Sequence, residues 1–294
     1  MYNPAGKAST SAIGHRGPAG AGRDAKERMT MVRMLRKAGA LLVLILAADA
    51  ADARNLPIPH EYGKVIINNH SRRAGLAPVQ FDHWLHRALY TCRLCHVDIG
   101  FAMQANATNI TADANEKGYY CGACHNGKLS FKDGKVFRAC SVNQPANDRS
   151  QCERCHSVGK KVKKTYEYAV FTEKFPRRVY GDIIDWEEAE AKKLVSPVDF
   201  LESVSIRRPA LKVQEDFSIT SKSNWVSDII FSHKKHTVWN GCEVCHPEIF
   251  PSSKQGTVKY SMLEISAGQY CGLCHTKVAF PLFDCQRCHK ASVR

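Results

Sequence analysis

No stretch of this 294-residue chain is long and apolar enough to span a bilayer. Its longest such run, Ala38 to Ala48, falls well short of the roughly 20 residues that a membrane helix needs. Methionine is scarce: there are six, and beyond residue 34 only Met103 and Met262 remain. Histidine and cysteine are absent from the 74 residues between Ser157 and Ile230, so that segment offers no imidazole or thiolate to a metal. Acidic residues are outnumbered 28 to 42 by Lys and Arg, giving a formal charge of +14. Such a surplus ordinarily points to nucleic acid or an anionic membrane, but no nucleic-acid-binding motif accompanies it.

Cysteine, by contrast, is abundant, and twelve of the thirteen fall in one pattern. Cys92-x-x-Cys95-His96, Cys121-x-x-Cys124-His125 and Cys152-x-x-Cys155-His156 are followed by Cys242-x-x-Cys245-His246, Cys271-x-x-Cys274-His275 and Cys285-x-x-Cys288-His289. Adding 150 to Phe81, His83, His86, Cys92, Cys121 and Gly118 gives Phe231, His233, His236, Cys242, Cys271 and Gly268, so the chain is an internal duplication. Paired Cys-x-x-Cys motifs also serve zinc sites and redox dithiols. Neither requires a His directly after the second Cys, and all six pairs have one. Cys-x-x-Cys-His is the attachment signature of c-type haem, with the two sulfurs bonded to the porphyrin edge and the His on the iron.

Basic residues Arg33, Arg36 and Lys37, the run from Ala38 and the small residues ending Ala51-Asp52-Ala53 make a charged region, an apolar region and an Ala-x-Ala site. That is the pattern of a secretory signal peptide, with cleavage expected after Ala53 or, next, Ala50. Export fits c-type attachment, which takes place where free thiols would otherwise oxidise. The expected address is the periplasm, with the extracellular or outer-membrane surface as the alternative, and no integral membrane segment remains after cleavage. Residues 1–53 hold eight basic and four acidic residues, leaving 42 − 8 = 34 against 28 − 4 = 24, or +10. Haem propionates are the natural partners for that surplus.

The organisation expected is a leader over 1–53, an N-terminal extension over 54–80, a first repeat over 81–156, a haem-free linker over 157–230 and a second repeat over 231–294. Six large flat porphyrins substitute for side-chain core, so the fold should be mostly irregular with short α-helices and little β. Lys64-Val65-Ile66-Ile67 reads as a short strand, Phe81 to Tyr90 as a helix, and Trp186 to Leu194 as another with Glu188 and Lys192 paired. Pro57 and Pro59 should keep the start of the extension extended. Gly118 and Gly268 mark tight turns. Cys140, the odd cysteine, reads as a buried free thiol.

Six irons have fifth ligands in His96, His125, His156, His246, His275 and His289. His83 and His86 share a helix face and can each serve a different haem, as can His233 and His236. Two further ligands come from His60, His70, Met103 and Met262, and two schemes balance. One is all-His; the other gives each half two His and one Met, which would raise one potential per half.

Phe-x-His-x-x-His, Cys-x-x-Cys-His, Gly-x-Tyr-Cys-Gly-x-Cys-His and a third Cys-x-x-Cys-His together resemble the trihaem cytochrome c7 family and its class III (c3-type) relative, in their tandem, nanowire-type form. The resemblance covers Phe81 to His156 and Phe231 to His289. It implies two c7-like trihaem modules, closely spaced and mostly bis-His haems, and a mixture with His–Met haems in multidomain members. Where the family has a His shortly before its second haem motif, this chain has none. The function implied is electron carriage between redox partners: other cytochromes, a quinol-oxidising membrane complex or an outer-membrane conduit. No catalytic residue is expected. The alternative is a multihaem oxidoreductase with one open haem acting on a small oxyanion. Such enzymes often replace a motif His by Lys, and no motif here does.

Overall fold

A computed structural model describes residues 58–131, 134–140, 150–209, 212–251 and 254–290, together with 30, 31 and 34. The chain divides into two units, Met1–Leu56 and Pro57–Arg294. In the first only Thr30, Met31 and Met34 are described, helical and exposed. The expected signal peptide and its cleavage sites therefore lie outside the described residues. Among the described residues no helix is long and apolar enough to cross a membrane.

The second unit is built from short pieces. Strands β1 (Lys64–Ile67) and β2 (Val79–Asp82) lead into helix α1 (His83–Leu89). Then come α2 (Ala112–Glu116), β3 (Ser130–Phe131), β4 (Gly134–Lys135), α3 (Ser150–Glu153), α4 (Tyr168–Phe171) and α5 (Trp186–Ala191). The second half follows with β5 (Phe217–Ile219), β6 (Ile229–Phe231), α6 (His233–Asn240) and α7 (Met262–Ser266). All three sheets are two-stranded antiparallel hairpins. The expected 81–90 helix is split: Phe81 and Asp82 close a strand, and the helix starts at His83. At the extension's start Ile58 is extended, but Pro59 opens a 3-10 turn through Glu61, because proline's fixed φ suits the first helical position.

The duplication is deeper than the motifs. β1 pairs with β2 so that Val65 faces Phe81, and β5 pairs with β6 so that Phe217 faces Phe231. The extension and the end of the linker thus supply equivalent strands to the two halves. Helices α2 and α7 occupy the same register, capped by the Thr111 and Ser261 side chains on Ala114 and Glu264 N–H. Each ends on a glycine in the left-handed region, Gly118 at φ 88° and Gly268 at φ 87°. The N–H groups of Tyr119 and Gln269 reach back to the Ala114 and Glu264 carbonyls, which closes each helix in a Schellman turn.

Among the described residues, the cluster of buried apolar side chains centres on the haem-free linker. Phe175, Ile184, Trp186, Ala189 and Val195 bury against Trp84 and Ala88 of α1, with Trp239 of α6 packed at its edge. Trp84 and Ala88 lie four residues apart and form one helix stripe. Arg87 stacks on Trp186 at 4.4 Å and on Trp239 at 5.4 Å, and donates to the Val278 carbonyl at 2.6 Å. The linker is therefore a wedge packed against both halves rather than a free tether.

Candidate cofactor sites

A haem held by two thioethers and an imidazole needs both sulfurs and the ring on one side of the backbone. Five of the six motifs achieve this with a single helical turn. The N–H groups of His125, His156, His246, His275 and His289 donate to the carbonyl of the first Cys of their own motif, at 2.8–3.0 Å. One turn places the two cysteines and the His on one face. In the first motif Cys92 and Arg93 are helical and the chain continues into a π-helical turn, Leu94–Ile99. None of the thirteen cysteines is in a disulfide.

The histidines are oriented by one rule. Nδ1 of His96 donates to the Phe101 carbonyl at 2.9 Å, that of His125 to Phe137 at 3.2 Å, that of His246 to Phe250 at 2.7 Å and that of His275 to Phe280 at 3.0 Å. His156 donates to Ala77 at 2.7 Å and His289 to Ser227 at 2.6 Å, positions 150 apart. The four helix histidines do likewise: His83 to Gly63 at 2.6 Å, His86 to Asp82 at 3.1 Å, His233 to Glu215 and His236 to Ser232, both at 2.8 Å. A carbonyl can only accept, so Nδ1 carries the proton in all ten rings and Nε2 presents its lone pair. An outer hydrogen bond of this kind is what fixes a metal-binding imidazole.

The aromatic residues set the ring planes. Phe81 meets His83 edge-on at 4.8 Å and lies at 4.3 Å from His86; Phe231 repeats this with His233 at 5.1 Å and His236 at 4.5 Å. Phe137 and Phe280 pack on His125 and His275 at 4.4 and 4.3 Å, each beneath an arginine, Arg154 and Arg287. These two Phe were missed in the sequence because the intervening loops differ in length and break the 150-residue register. A Phe downstream of each first and second motif was the available signal.

Burial, above all, favours the neutral form of six of these rings. It holds His83, His125 and His275 down to about 4 and lowers His86, His96 and His236 in the same direction. Neutral imidazole is the metal-binding form. Burial also pushes the Cys95, Cys121 and Cys274 thiols up to about 12. A redox Cys-x-x-Cys dithiol is shifted the other way, toward thiolate.

The ring centres of His86 and His125 lie 6.4 Å apart, and those of His236 and His275 lie 6.3 Å apart. Two imidazoles bound on opposite sides of one metal, with bonds of about 2 Å, have ring centres about 6.3 Å apart. The residues thus fit a haem iron between them, and the second Cys-x-x-Cys-His of each half has its opposing imidazole in the second His of the Phe-x-His-x-x-His helix.

The remaining candidates differ. His70 uses Nε2, not Nδ1, in a 2.6 Å bond to the Asn109 side chain. His60 packs at 6.3 Å against Tyr168. Met103 sits half-buried in a bend. Met262 opens α7 and is 51% exposed; its register equivalent is Ala112. Cys140 is half-buried and takes a 3.8 Å contact from the Asn115 amide.

A family model described as cytochrome c7 and related cytochrome c matches residues 79–157 and 229–290. No curated protein matches. Among solved structures, the chain is similar to the C-terminal hexahaem fragment of a dodecahaem cytochrome c, at 24% identity and a TM-score of 0.24, covering 78% of this chain and 97% of that one. The N-terminal hexahaem fragment gives 24% identity and a TM-score of 0.22 over 78% and 99% of the two chains. The whole dodecahaem cytochrome c gives 22% and 0.24 over 77% and 73%. The two family matches fall on the two copies of the motif-bearing repeat. With six Cys-x-x-Cys-His turns and an opposed imidazole pair in each half, residues 79–157 and 229–290 are two c7-like repeats, and the six motifs provide for six c-type haems.

Proposed function

We propose that this cytochrome is an exported, periplasmic electron carrier in which all ten carbonyl-bonded histidines are iron ligands. The c7 match supports electron transfer through haems; address, ligand set and partners are our reading. In it, His96, His125, His156, His246, His275 and His289 hold the near side of each haem. His86 faces His125 and His236 faces His275, with His83 and His233 opposite His96 and His246. The third motif of each half takes its sixth ligand from among His60, His70, Met103 and Met262. The observation that carries this reading is the shared Nδ1-to-carbonyl bond, present in all ten and reversed in His70.

When bound, the haems supply reversible one-electron chemistry. The chain's own part is to hold the imidazoles neutral and oriented, to cover the porphyrins, and to leave some edges open to redox partners such as another cytochrome, a quinol-oxidising membrane complex or an outer-membrane conduit. An iron with both axial positions filled has no site for substrate, so the protein acts as a carrier and not an enzyme. Near-infrared magnetic circular dichroism of the oxidised holoprotein tests this. At least four bis-His signals and six low-spin irons are expected. A high-spin iron that responds to nitrite would replace the carrier reading with the oxyanion reductase.

A further inference from the structure

Position 93 and position 243 are the same place in the duplication, the first spacer of the leading Cys-x-x-Cys-His in each half. One is Arg and the other Glu, and in the fold they converge. Gly241, which precedes Cys242, comes so close to Arg93 that a Cβ there would sit 2.5 Å from Arg93 Cδ and 2.9 Å from Glu243 Oε2. Gly241 has φ +63°, so glycine is required for the backbone as well. Around this contact runs a chain of alternating charges. Arg93 pairs with Asp98 at 3.2 Å and with Asp199 at 2.9 Å. Arg208, from the linker, pairs with Asp98 at 2.7 Å and with Glu243 at 3.0 Å. The Asp98 side chain is 1% exposed, and Asp199 also accepts from Thr91 Oγ1 at 2.6 Å.

A contact between equivalent residues of two copies is an isologous one, self-complementary by symmetry. With the same charge on both sides it would repel. Arg against Glu makes it attractive and fixes its register. Asp98 is buried between two arginines, so removing Arg208 halves the compensation of a buried charge and takes away the arginine that pairs with Glu243, which is unfavourable; the pairs hold the junction in one register. Arg93 and Glu243 are spacers of the first and fourth motifs, so the leading motif of the first half faces the leading motif of the second. Chain order alone would join the halves from the third motif to the fourth.

We propose that electrons pass between the two halves directly across the junction of the first and fourth motifs, and that Arg93, Asp98, Arg208 and Glu243 are the positioning residues that hold that gap short and fixed. The step moves one electron: the reduced centre on one side becomes oxidised and the oxidised centre on the other becomes reduced, with no bond or proton changed. It rests on the six-haem carrier reading.

The test uses the full-length holoprotein, partly reduced, with haem-methyl signals followed by NMR. Fast exchange between halves gives one averaged set of signals at each stage of reduction; slow exchange gives separate sets for each half. Wild type, Arg208→Lys and Arg207→Ala, whose exposed guanidinium pairs with Glu202 and stacks on Phe200, should give the averaged set. Arg208→Ala should lose it. Glu243→Gln, which removes a single bridge, serves if Arg208→Ala does not mature, and should broaden the averaged signals. Averaged signals unchanged in Arg208→Ala or Glu243→Gln would overturn the proposal, as would separate sets in wild type. Intact mass separates this from failure of the reading beneath it, since fewer than six added haems in wild type would sink that reading first.

Discussion

Gly122 and Gly272, in the first spacer of the second motif of each half, lie directly against the turn that ends α2 and α7. A Cβ would fall 1.8 Å from the Asn115 carbonyl oxygen and 1.7 Å from that of Ile265. The obstruction is backbone, which cannot swing away as a flexible side chain could. Gly272→Ala must therefore displace the whole motif turn. Overpacking commonly costs about 1–3 kcal/mol, and this case should lie at or above the top of that range. The expected outcome is one haem fewer by intact mass, or a melting midpoint several degrees lower, while Gly134→Ala, with nothing within 4 Å, changes neither. The imidazoles give a second residue-scale prediction. If His86 is the sixth ligand opposite His125, His86→Met should raise the potential of one haem and leave the other five in place, because His–Met ligation raises the potential relative to bis-His. A redox titration superimposable on wild type would strike His86 from the ligand set. The six Cys-x-x-Cys-His turns and the two Phe-x-His-x-x-His pairs were legible from spacing alone. Which imidazoles oppose one another was not, because His86 and His125 are 39 residues apart and meet only through the fold.

Element by element, the local signals in the chain were faithful except at Pro59, which opens a 3-10 turn, at Phe81 and Asp82, which close a strand, and beyond Ala191, where the expected helix has ended, while the long-range ones were silent. Lys64–Ile67 is a strand as its β-branched run required, and Glu188 pairs with Lys192 at 2.7 Å on α5. What no local pattern could announce is that the linker's aromatic residues share a core with α1, since Trp84 and Trp186 are a hundred residues apart and neither stretch looks apolar by itself. That wedge carries a buried carboxylate, Asp182, which accepts from Trp186 Nε1 at 2.7 Å and from the Ile184 N–H at 3.2 Å. Burial raises its pKa, against the pull of Arg87 and the Trp186 hydrogen bond. A carboxyl whose folded pKa is raised binds its proton more tightly when folded. Its contribution to stability is therefore greatest at low pH and declines as pH climbs from the unfolded value near 3.9 through the folded one. Asp182→Asn abolishes that decline while sacrificing one of the two acceptors. Relative to wild type, the variant should thus be least stable near pH 4 and should recover as pH rises to 7, measured as the difference in melting midpoint. A difference that widens with pH would mean that Arg87 stabilises the charge by more than burial opposes it.

At the scale of the whole molecule the two halves are copies that have diverged in charge where they touch. Asp98 and Glu248 keep the same sign at equivalent positions, but Arg93 and Glu243 do not. Symmetric copies need such a difference to adhere through like surfaces. The global balance obeys similar arithmetic. Beyond residue 53 the polypeptide carries 34 − 24 = +10, while each haem brings two propionates, about twelve negative charges in all, so the fully reduced protein, whose ferrous porphyrin cores are neutral, should sit slightly below neutrality. The polypeptide alone has a sequence pI near 9.2. Those carboxylates count toward net charge whether they are solvated or paired with arginine, so pairing cannot hide them. Isoelectric focusing of mature, fully reduced holoprotein should therefore give a red band several pH units below that of the same chain made without haem attachment. Partial loading should produce a ladder of intermediate bands, each step one haem and two charges. A holoprotein that still focused near pH 9 with six haems by mass would require its propionates to be held protonated, and would show that the basic surplus is not there to balance them.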